Sequence, residues 1–324
     1  MKRMTKTVLF SAPYMQAVID RFRPLLEGCG LELIVPDVHE RLSEDEILAY
    51  AGQFDGTLCG DDRYSARVLA ACAPRLKVIS KWGTGIDSID RQAAEKLGIQ
   101  VRNTSNAFTL PVADTVLGYM LAFARRQPWL DRAVKSGTWQ KIPGRSLSEC
   151  TLGVVGVGNV GKAVIRRARA FGMQLLGNDI IPIAPDFILE NGVEMTGLND
   201  LLHRSDFISL NCDLNPSSYH LINAQSLARV KPGAVLINTA RGPIVDEPAL
   251  VEALQAGRLV GAGLDVFEVE PLPASSPLCQ MDQVMLAPHN ANSSPMAWER
   301  VHANTIRNLL EGLGLPALDQ PASK

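Results

Sequence analysis

Short apolar runs alternate with longer stretches of helical period along this chain, and they do so twice. In the first pass, "TVLFSAP" (7–13), "LELIVP" (31–36), "FDGTLCG" (54–60), "LKVIS" (76–80) and "IQVRN" (99–103) read as strands. Helical stretches lie between them at 14–28, 43–52, 65–72 and 88–98. Strands that alternate with helices form βαβ units, and those build a parallel sheet. The second pass runs through "TLGVVG" (151–156), "MQLLGND" (173–179), "DFISLN" (206–211), "AVLINTA" (234–240), "GAGLDVF" (261–267) and "VMLAPH" (284–289). The helix at 246–259 is the clearest, with a carboxylate-rich start and a glycine near its end. Two doubly wound α/β domains are therefore expected, which suits 324 residues at roughly 150 per domain. Two helices stand apart. "LPVADTVLGYMLAFARR" (110–126) is uninterrupted and strongly apolar, which predicts burial at a domain or subunit interface. The last helix, 294–314, follows the final strand and is expected to pack back on the first domain.

The second alternation opens on "TLGVVGVGNVGKAV", with Gly156, Gly158 and Gly161. Glycine is common, so the spacing alone says little. Its place after a strand and at the start of a helix makes it informative. Gly156 permits a tight turn, Gly158 lets backbone approach a pyrophosphate, and Gly161 lets helix and strand pack closely. The helix N-terminus then offers unpaired N–H groups to phosphate. The next strand ends in Asp179, near the offset of ~20 residues expected for an acid that binds ribose hydroxyls. The residues after it, IIPIAPD, hold no Lys or Arg for a 2′-phosphate, which favours NAD over NADP. The competing reading is a close-packed βαβ turn with a surface Asp.

Three segments fall at the C-terminal ends of late strands, where open α/β sheets bind ligands. They are "NTARG" with Arg241, "LDVFEVEP" with Asp265, Glu268 and Glu270, and "APHN" with His289. An Arg, a Glu and a His there suit hydride transfer on an oxo acid. Oxidising a hydroxyl needs a base for its proton, and His titrates near neutrality. A carboxylate on the other ring nitrogen fixes the tautomer. A guanidinium grips a carboxylate through two hydrogen bonds and polarises the neighbouring carbonyl. Glu268 and Glu270 share a strand phase if the strand continues, so either could be the partner of His289.

These motifs resemble those of the D-isomer-specific 2-hydroxyacid dehydrogenase family from about Val8 to Leu313. "GVVGVGNVGKAV", "VKPGAVLINTARGPIVDEPALVEAL", "GAGLDVFEVEP" and "APHN" match its signatures in order. "LKVISKWGTGIDSIDRQAAEKLGIQVRNT" matches its substrate-domain signature. The resemblance implies a Rossmann NAD-binding domain (105–290) inserted into a flavodoxin-like substrate domain (1–104 with 291–324). It implies that Arg241 holds the substrate carboxylate and carbonyl, that His289 is the acid/base, and that Glu270, before Pro271, is its partner. Asn159, Val160, Cys212, Thr239 and Ala240 match cofactor-lining positions, and Asp265 matches a contact to the nicotinamide amide. Gly83, Thr84 and Gly85 match the loop that holds the substrate carboxylate, with Thr84 also near the nicotinamide. A homodimer is implied, with helix 110–126 as its contact.

Some positions depart from the family pattern. "CDLNP" replaces a "P-L-T" run after Asn211, Asp114 stands for a Glu, and Ala291 for a Gly. None belongs to the Arg, Glu, His set. The catalytic core is closest to phosphoglycerate dehydrogenases, yet Cys59 and Gly60 stand where those usually present Arg-Ser for a phosphate, followed by Asp61 and Asp62. The chain is also expected to lack the C-terminal regulatory domain that many of those carry. The expected substrate is thus a small unphosphorylated acid such as hydroxypyruvate or glyoxylate. The alternatives are D-3-phosphoglycerate and, in another class, an NAD(H)-sensing corepressor-like binding protein. Of the other histidines, His39 and His203 are expected at the surface, and His220 and His302 are expected to be structural.

Composition narrows the rest. Net charge is −2, with 32 Lys+Arg against 34 Asp+Glu, which calls for no nucleic acid and no acidic membrane surface. Six scattered cysteines form no CxxC pair and no Cys/His cluster, so no metal site is expected and the thiols read as free. The N-terminal apolar run is too short for a signal peptide and breaks at Pro13. A cytoplasmic protein is expected.

Overall fold

The computed structural model describes residues 5–316. The chain divides into two compact units, with breaks after Ala107 and after Ser293. The first unit takes both ends of the chain and the second takes the middle.

In the first unit, β1 (Lys6–Phe10), β2 (Leu31–Ile34), β3 (Gly56–Cys59), β4 (Val78–Lys81) and β5 (Gln100–Arg102) form one sheet. Its order is β2-β1-β3-β4-β5 and every pair is parallel. This is the flavodoxin-like order. β3 and β4 are buried along their whole length, because helices cover both faces of a parallel sheet. Local chemistry sets the helix starts. Ser43 and Glu46 form a capping box at Glu44–Leu48, and Asp90 caps Arg91–Lys96. The final helix, Pro295–Gly312, packs on this sheet, where the Ser80 hydroxyl donates to the Thr305 carbonyl at 2.7 Å.

Asp62, just beyond β3, is fully buried. It accepts hydrogen bonds from the Ser11 hydroxyl and from the Leu42 N–H. Burial outweighs these and pushes its carboxyl up to about 6. The folded state therefore holds the proton more tightly than the unfolded chain. Stability from this group is full below the unfolded carboxylate range and is lost as pH rises toward about 6. The loss is roughly 3 kcal/mol. Asp62→Asn is expected to raise the thermal midpoint at pH 7.5 by about 3–6 °C, with the gain shrinking toward pH 4.5. Melting curves at the two pH values check this, and equal shifts at both would refute it.

The second unit holds β6 (Thr151–Val155), β7 (Gln174–Asn178), β8 (Val193–Met195), β9 (Phe207–Leu210), β10 (Ala234–Asn238), β11 (Leu259–Leu264) and β12 (Val284–Leu286). The order is β12-β11-β10-β9-β6-β7-β8, again all parallel. Successive strand residues feed opposite cores. Leu152, Val154, Val235 and Ile237 join one apolar cluster, whereas Val155 and Leu236 join the other. Helices Thr109–Arg125 and Asn159–Ala170 fill the first side. The strongly apolar helix thus spends Ala113, Val116, Leu117, Met120 and Phe123 within its own unit.

Two strand expectations change. β8, "VEM", is too short to show a period in sequence. β11 ends at Leu264, so Asp265–Glu270 is loop rather than strand. Chain order reverses between β6 and β9, and that switch point is where doubly wound sheets open a ligand crevice. No helix among the described residues is long and apolar enough to cross a membrane, and no cluster there could hold a metal ion.

Candidate active site

The glycine turn sits at this switch point. Gly156 adopts φ +87°, and its N–H donates to the Asn178 carbonyl at 2.8 Å. A Cβ on Gly161 would lie 2.1 Å from the Gly156 carbonyl oxygen, so only glycine lets the helix Asn159–Ala170 start this close to β6. Gly158 is the N-cap of that helix, and a Cβ there would meet nothing within 4 Å. Space for a ligand therefore lies over the helix N-terminus, beside Asn159 and Val160. Asp179 follows β7 and accepts from the Val157 N–H at 2.7 Å and the Ile181 N–H at 2.9 Å. It braces the turn and sets a negative charge beside it.

Across the switch point, Asn211 and Cys212 follow β9, and Thr239 and Ala240 follow β10. Burial pushes the Cys212 thiol up to about 11, so it stays a neutral, apolar wall. Asn211 Oδ1 and Thr239 Oγ1 are buried with no hydrogen-bond partner among the described residues. Orphaned buried polar atoms are costly. Both residues sit at the switch-point ends of β9 and β10, and the donors and acceptors there suit a dinucleotide.

Arg241 leads β10 into the turn Gly242–Ile244 and is partly exposed. Asn238 Nδ2 donates to its carbonyl, and its own Nη1 donates to the Ala240 carbonyl, both at 2.8 Å. The next strand end carries Asp265, almost fully buried. Its oxygens accept the N–H groups of Asn290 (2.7 Å) and Ala291 (2.9 Å), while its carbonyl accepts the His289 N–H at 2.8 Å. Burial raises its carboxyl. Asp265 thereby fastens the turn in which His289 takes φ +49°.

Glu270 completes the constellation. Its Oε1 accepts from the Phe267 N–H at 3.0 Å, and its Oε2 lies 3.0 Å from His289 Nδ1. A carboxylate only accepts, so Nδ1 carries the hydrogen and Nε2 is the acceptor nitrogen of that tautomer. The guanidinium and the oriented imidazole thus stand on strand-end loops of one sheet. Hydride transfer on a 2-oxo acid can use both, a cation for the carboxylate and a proton donor for the carbonyl oxygen.

A family model for the NAD-binding domain of D-isomer-specific 2-hydroxyacid dehydrogenases matches residues 117–291. The chain belongs to the D-isomer-specific 2-hydroxyacid dehydrogenase family. It is 42% identical over 255 residues to a glyoxylate reductase of Korarchaeum cryptofilum, covering 77% of this chain and 76% of that one. It is 37% identical over 281 residues to a hydroxypyruvate reductase of Thermotoga maritima, covering 85% and 90%. Among solved structures, a D-lactate dehydrogenase from Aquifex aeolicus complexed with NAD and lactic acid superposes with a TM-score of 0.83 at 28% identity, covering 97% of this chain and 100% of that one. As a member of this family, the protein is an NAD-dependent oxidoreductase of 2-hydroxy acids.

The remaining residues expected at the site lie in the first unit. Gly83 (φ +109°), Thr84 and Gly85 follow β4. The Gly83 carbonyl accepts the Thr104 N–H at 2.8 Å, and the Thr84 hydroxyl donates to the Thr104 carbonyl at 2.9 Å. Trp82 before them is buried, donates from Nε1 to His302 Nδ1 at 3.0 Å, and rests against Tyr14 and Trp298. His39 and His203 are exposed. One pairing was not foreseen. Glu268 is not an alternative partner for His289, because its carboxylate lies 2.5 Å from His220 Nε2.

Proposed function

We propose that the protein reduces a small unphosphorylated 2-oxo acid of the glyoxylate or hydroxypyruvate type with NADH, and runs the reverse oxidation of the D-2-hydroxy acid. The observation that carries the site assignment is the His289–Glu270 pair at 3.0 Å, with Arg241 at a neighbouring strand end. Relatives named glyoxylate and hydroxypyruvate reductase support the substrate class. The Cys59–Gly60 pair supports it too, since neither side chain offers a phosphate a cation.

In this reading Gly156, Gly158, Asn159, Val160 and Gly161 hold the pyrophosphate, and Asp179 takes the ribose. Cys212, Thr239, Ala240 and Asp265 line the nicotinamide end. NAD supplies or accepts the hydride. Arg241 binds the substrate carboxylate and polarises the C2 carbonyl. His289 Nε2 gives its proton to the carbonyl oxygen in reduction and takes it back in oxidation. Glu270 stabilises the imidazolium and holds its ring.

The same reading makes the enzyme a cytoplasmic homodimer. Its cysteines are free thiols, which suits a reducing compartment. Its dimer contact in this reading is helix 110–126, where Leu110 is 56% exposed. The test is NADH consumption with glyoxylate, hydroxypyruvate, pyruvate and 3-phosphohydroxypyruvate, repeated with NADPH. Turnover of glyoxylate or hydroxypyruvate with NADH, at least about tenfold above NADPH, is expected from the charge at Asp179. Clear preference for the phosphorylated acid would overturn the substrate class. Light scattering of the same preparation should give twice the 35.1 kDa chain mass.

A further inference from the structure

The second unit holds another histidine–glutamate pair beside the first. His220 Nε2 lies 2.5 Å from Glu268 Oε1, and both side chains are partly buried. The imidazole stacks on Tyr219, with centroids 4.1 Å apart and planes 15° apart. His220 is held with φ +47°, an uncommon conformation for a residue other than glycine. Its backbone N–H donates to the Pro243 carbonyl at 2.9 Å, in the turn that Arg241 opens. Asn223 Nδ2 donates to the His220 carbonyl at 2.8 Å. Glu268 is equally committed, because its own N–H donates to Glu247 Oε1 at 2.5 Å.

His220 thus reaches two loops by two different routes. Its main chain holds the Arg241 turn after β10. Its ring holds the 267–270 loop after β11, two residues before Glu270. The Glu270–Phe267 bond and Glu247 also hold that loop. Nothing in the proposed reaction uses His220 or Glu268 directly. We propose that His220, through Glu268, is a positioning residue that sets the placement of Glu270 against His289. This rests on the reading of His289 and Glu270 as the acid/base pair.

The two routes separate the expected effects. Removing the ring cuts the link to Glu268 and leaves the backbone link to Pro243 intact. Glu270 then loses its brace while the Arg241 turn keeps its hold. His220→Ala is expected to lower kcat for the 2-oxo acid about tenfold. KM for the acid and the Kd for NADH should stay within about twofold, because neither contact depends on the ring. His220→Gln, whose amide still donates toward Glu268, should recover most of the lost kcat. His220→Ala combined with Glu268→Ala should be no slower than either alone, since both remove one interaction.

The experiment is steady-state reduction by the full-length protein with NADH, NADH titration by fluorescence, and thermal melting, run on these variants and on His289→Gln. The expected pattern is a kcat-specific loss, rescue by glutamine, and non-additivity. Wild-type kcat in His220→Ala would overturn the proposal. So would equal damage to kcat, KM and NADH affinity without glutamine rescue, which marks a general scaffold role. If His289→Gln itself turns over like wild type, the acid/base reading fails and the positioning proposal falls with it. If His289→Gln is dead while His220→Ala is normal, only the positioning proposal fails.

Discussion

His289→Gln is expected to lower kcat for 2-oxo acid reduction by about a thousandfold, within the span that general acid–base catalysis commonly supplies. Glutamine is close to histidine in size, and its amide can still donate to Glu270, so the loop geometry should survive. What it lacks is a proton it can give up near neutral pH. Arg241 stays in place, so KM for the acid should change by less than about threefold, the signature of a group that acts in the transition state rather than in binding. NADH affinity should stay within about twofold, because the glycine turn and Asp179 lie on other strand ends. His220 cannot take over, since its Nε2 is already committed to Glu268. Steady-state kinetics with fluorescence titration of NADH decide the matter. A loss of less than tenfold in kcat would remove His289 from the proton transfer.

Much of this site was open to reading in the sequence because its parts are local. A glycine turn between a strand and a helix is a short-range pattern, and so is the position of Arg241 at the end of an apolar run. Both depend on residues within one βαβ unit. The partner of His289 was harder, because it depends on where β11 stops. Had the strand continued to residue 270, Glu268 and Glu270 would have pointed the same way and stayed equivalent. β11 ends at Leu264, the chain turns, and the two carboxylates reach different histidines. Only the family resemblance to Glu-Pro favoured Glu270 in advance.

His220 looked structural for the same reason. Its partner lies 48 residues away, across two further strands, and no periodicity links them. The apolar helix Thr109–Arg125 shows another limit. Its composition predicts burial at a domain or subunit interface, and its own unit's sheet face already takes up much of that apolar surface. Asp265 matched a cofactor contact by family pattern alone. Its two bonds to the backbone after His289 add a tie that no sequence spacing displays. Pairings between loops follow from the strand order, and strand order is what a single sequence states least directly.

The contact between the Arg241 turn and the glutamate loop leads to the other large effect. A Cβ built on Gly242 would lie 1.9 Å from both the carbonyl carbon and the oxygen of Phe267, and 2.5 Å from the Glu268 nitrogen. All three are backbone atoms, so no flexible side-chain end can swing aside. The two main chains must separate, and each is anchored elsewhere. Pro243 follows directly and is bonded to His220, while Glu268 is bonded to Glu247. Gly242→Ala is therefore expected to cost at least about 3 kcal/mol of stability, at the upper end of overpacking effects. It should also lower kcat/KM by at least about a hundredfold, because the strain parts Arg241 from the loop that carries Glu270 and small misplacements of reacting groups are costly. Thermal melting and kinetics on the same sample test both halves. A stable, active Gly242→Ala protein would mean that the two loops are not in backbone contact, and the account of how Arg241, Glu270 and His289 are held together would have to be abandoned.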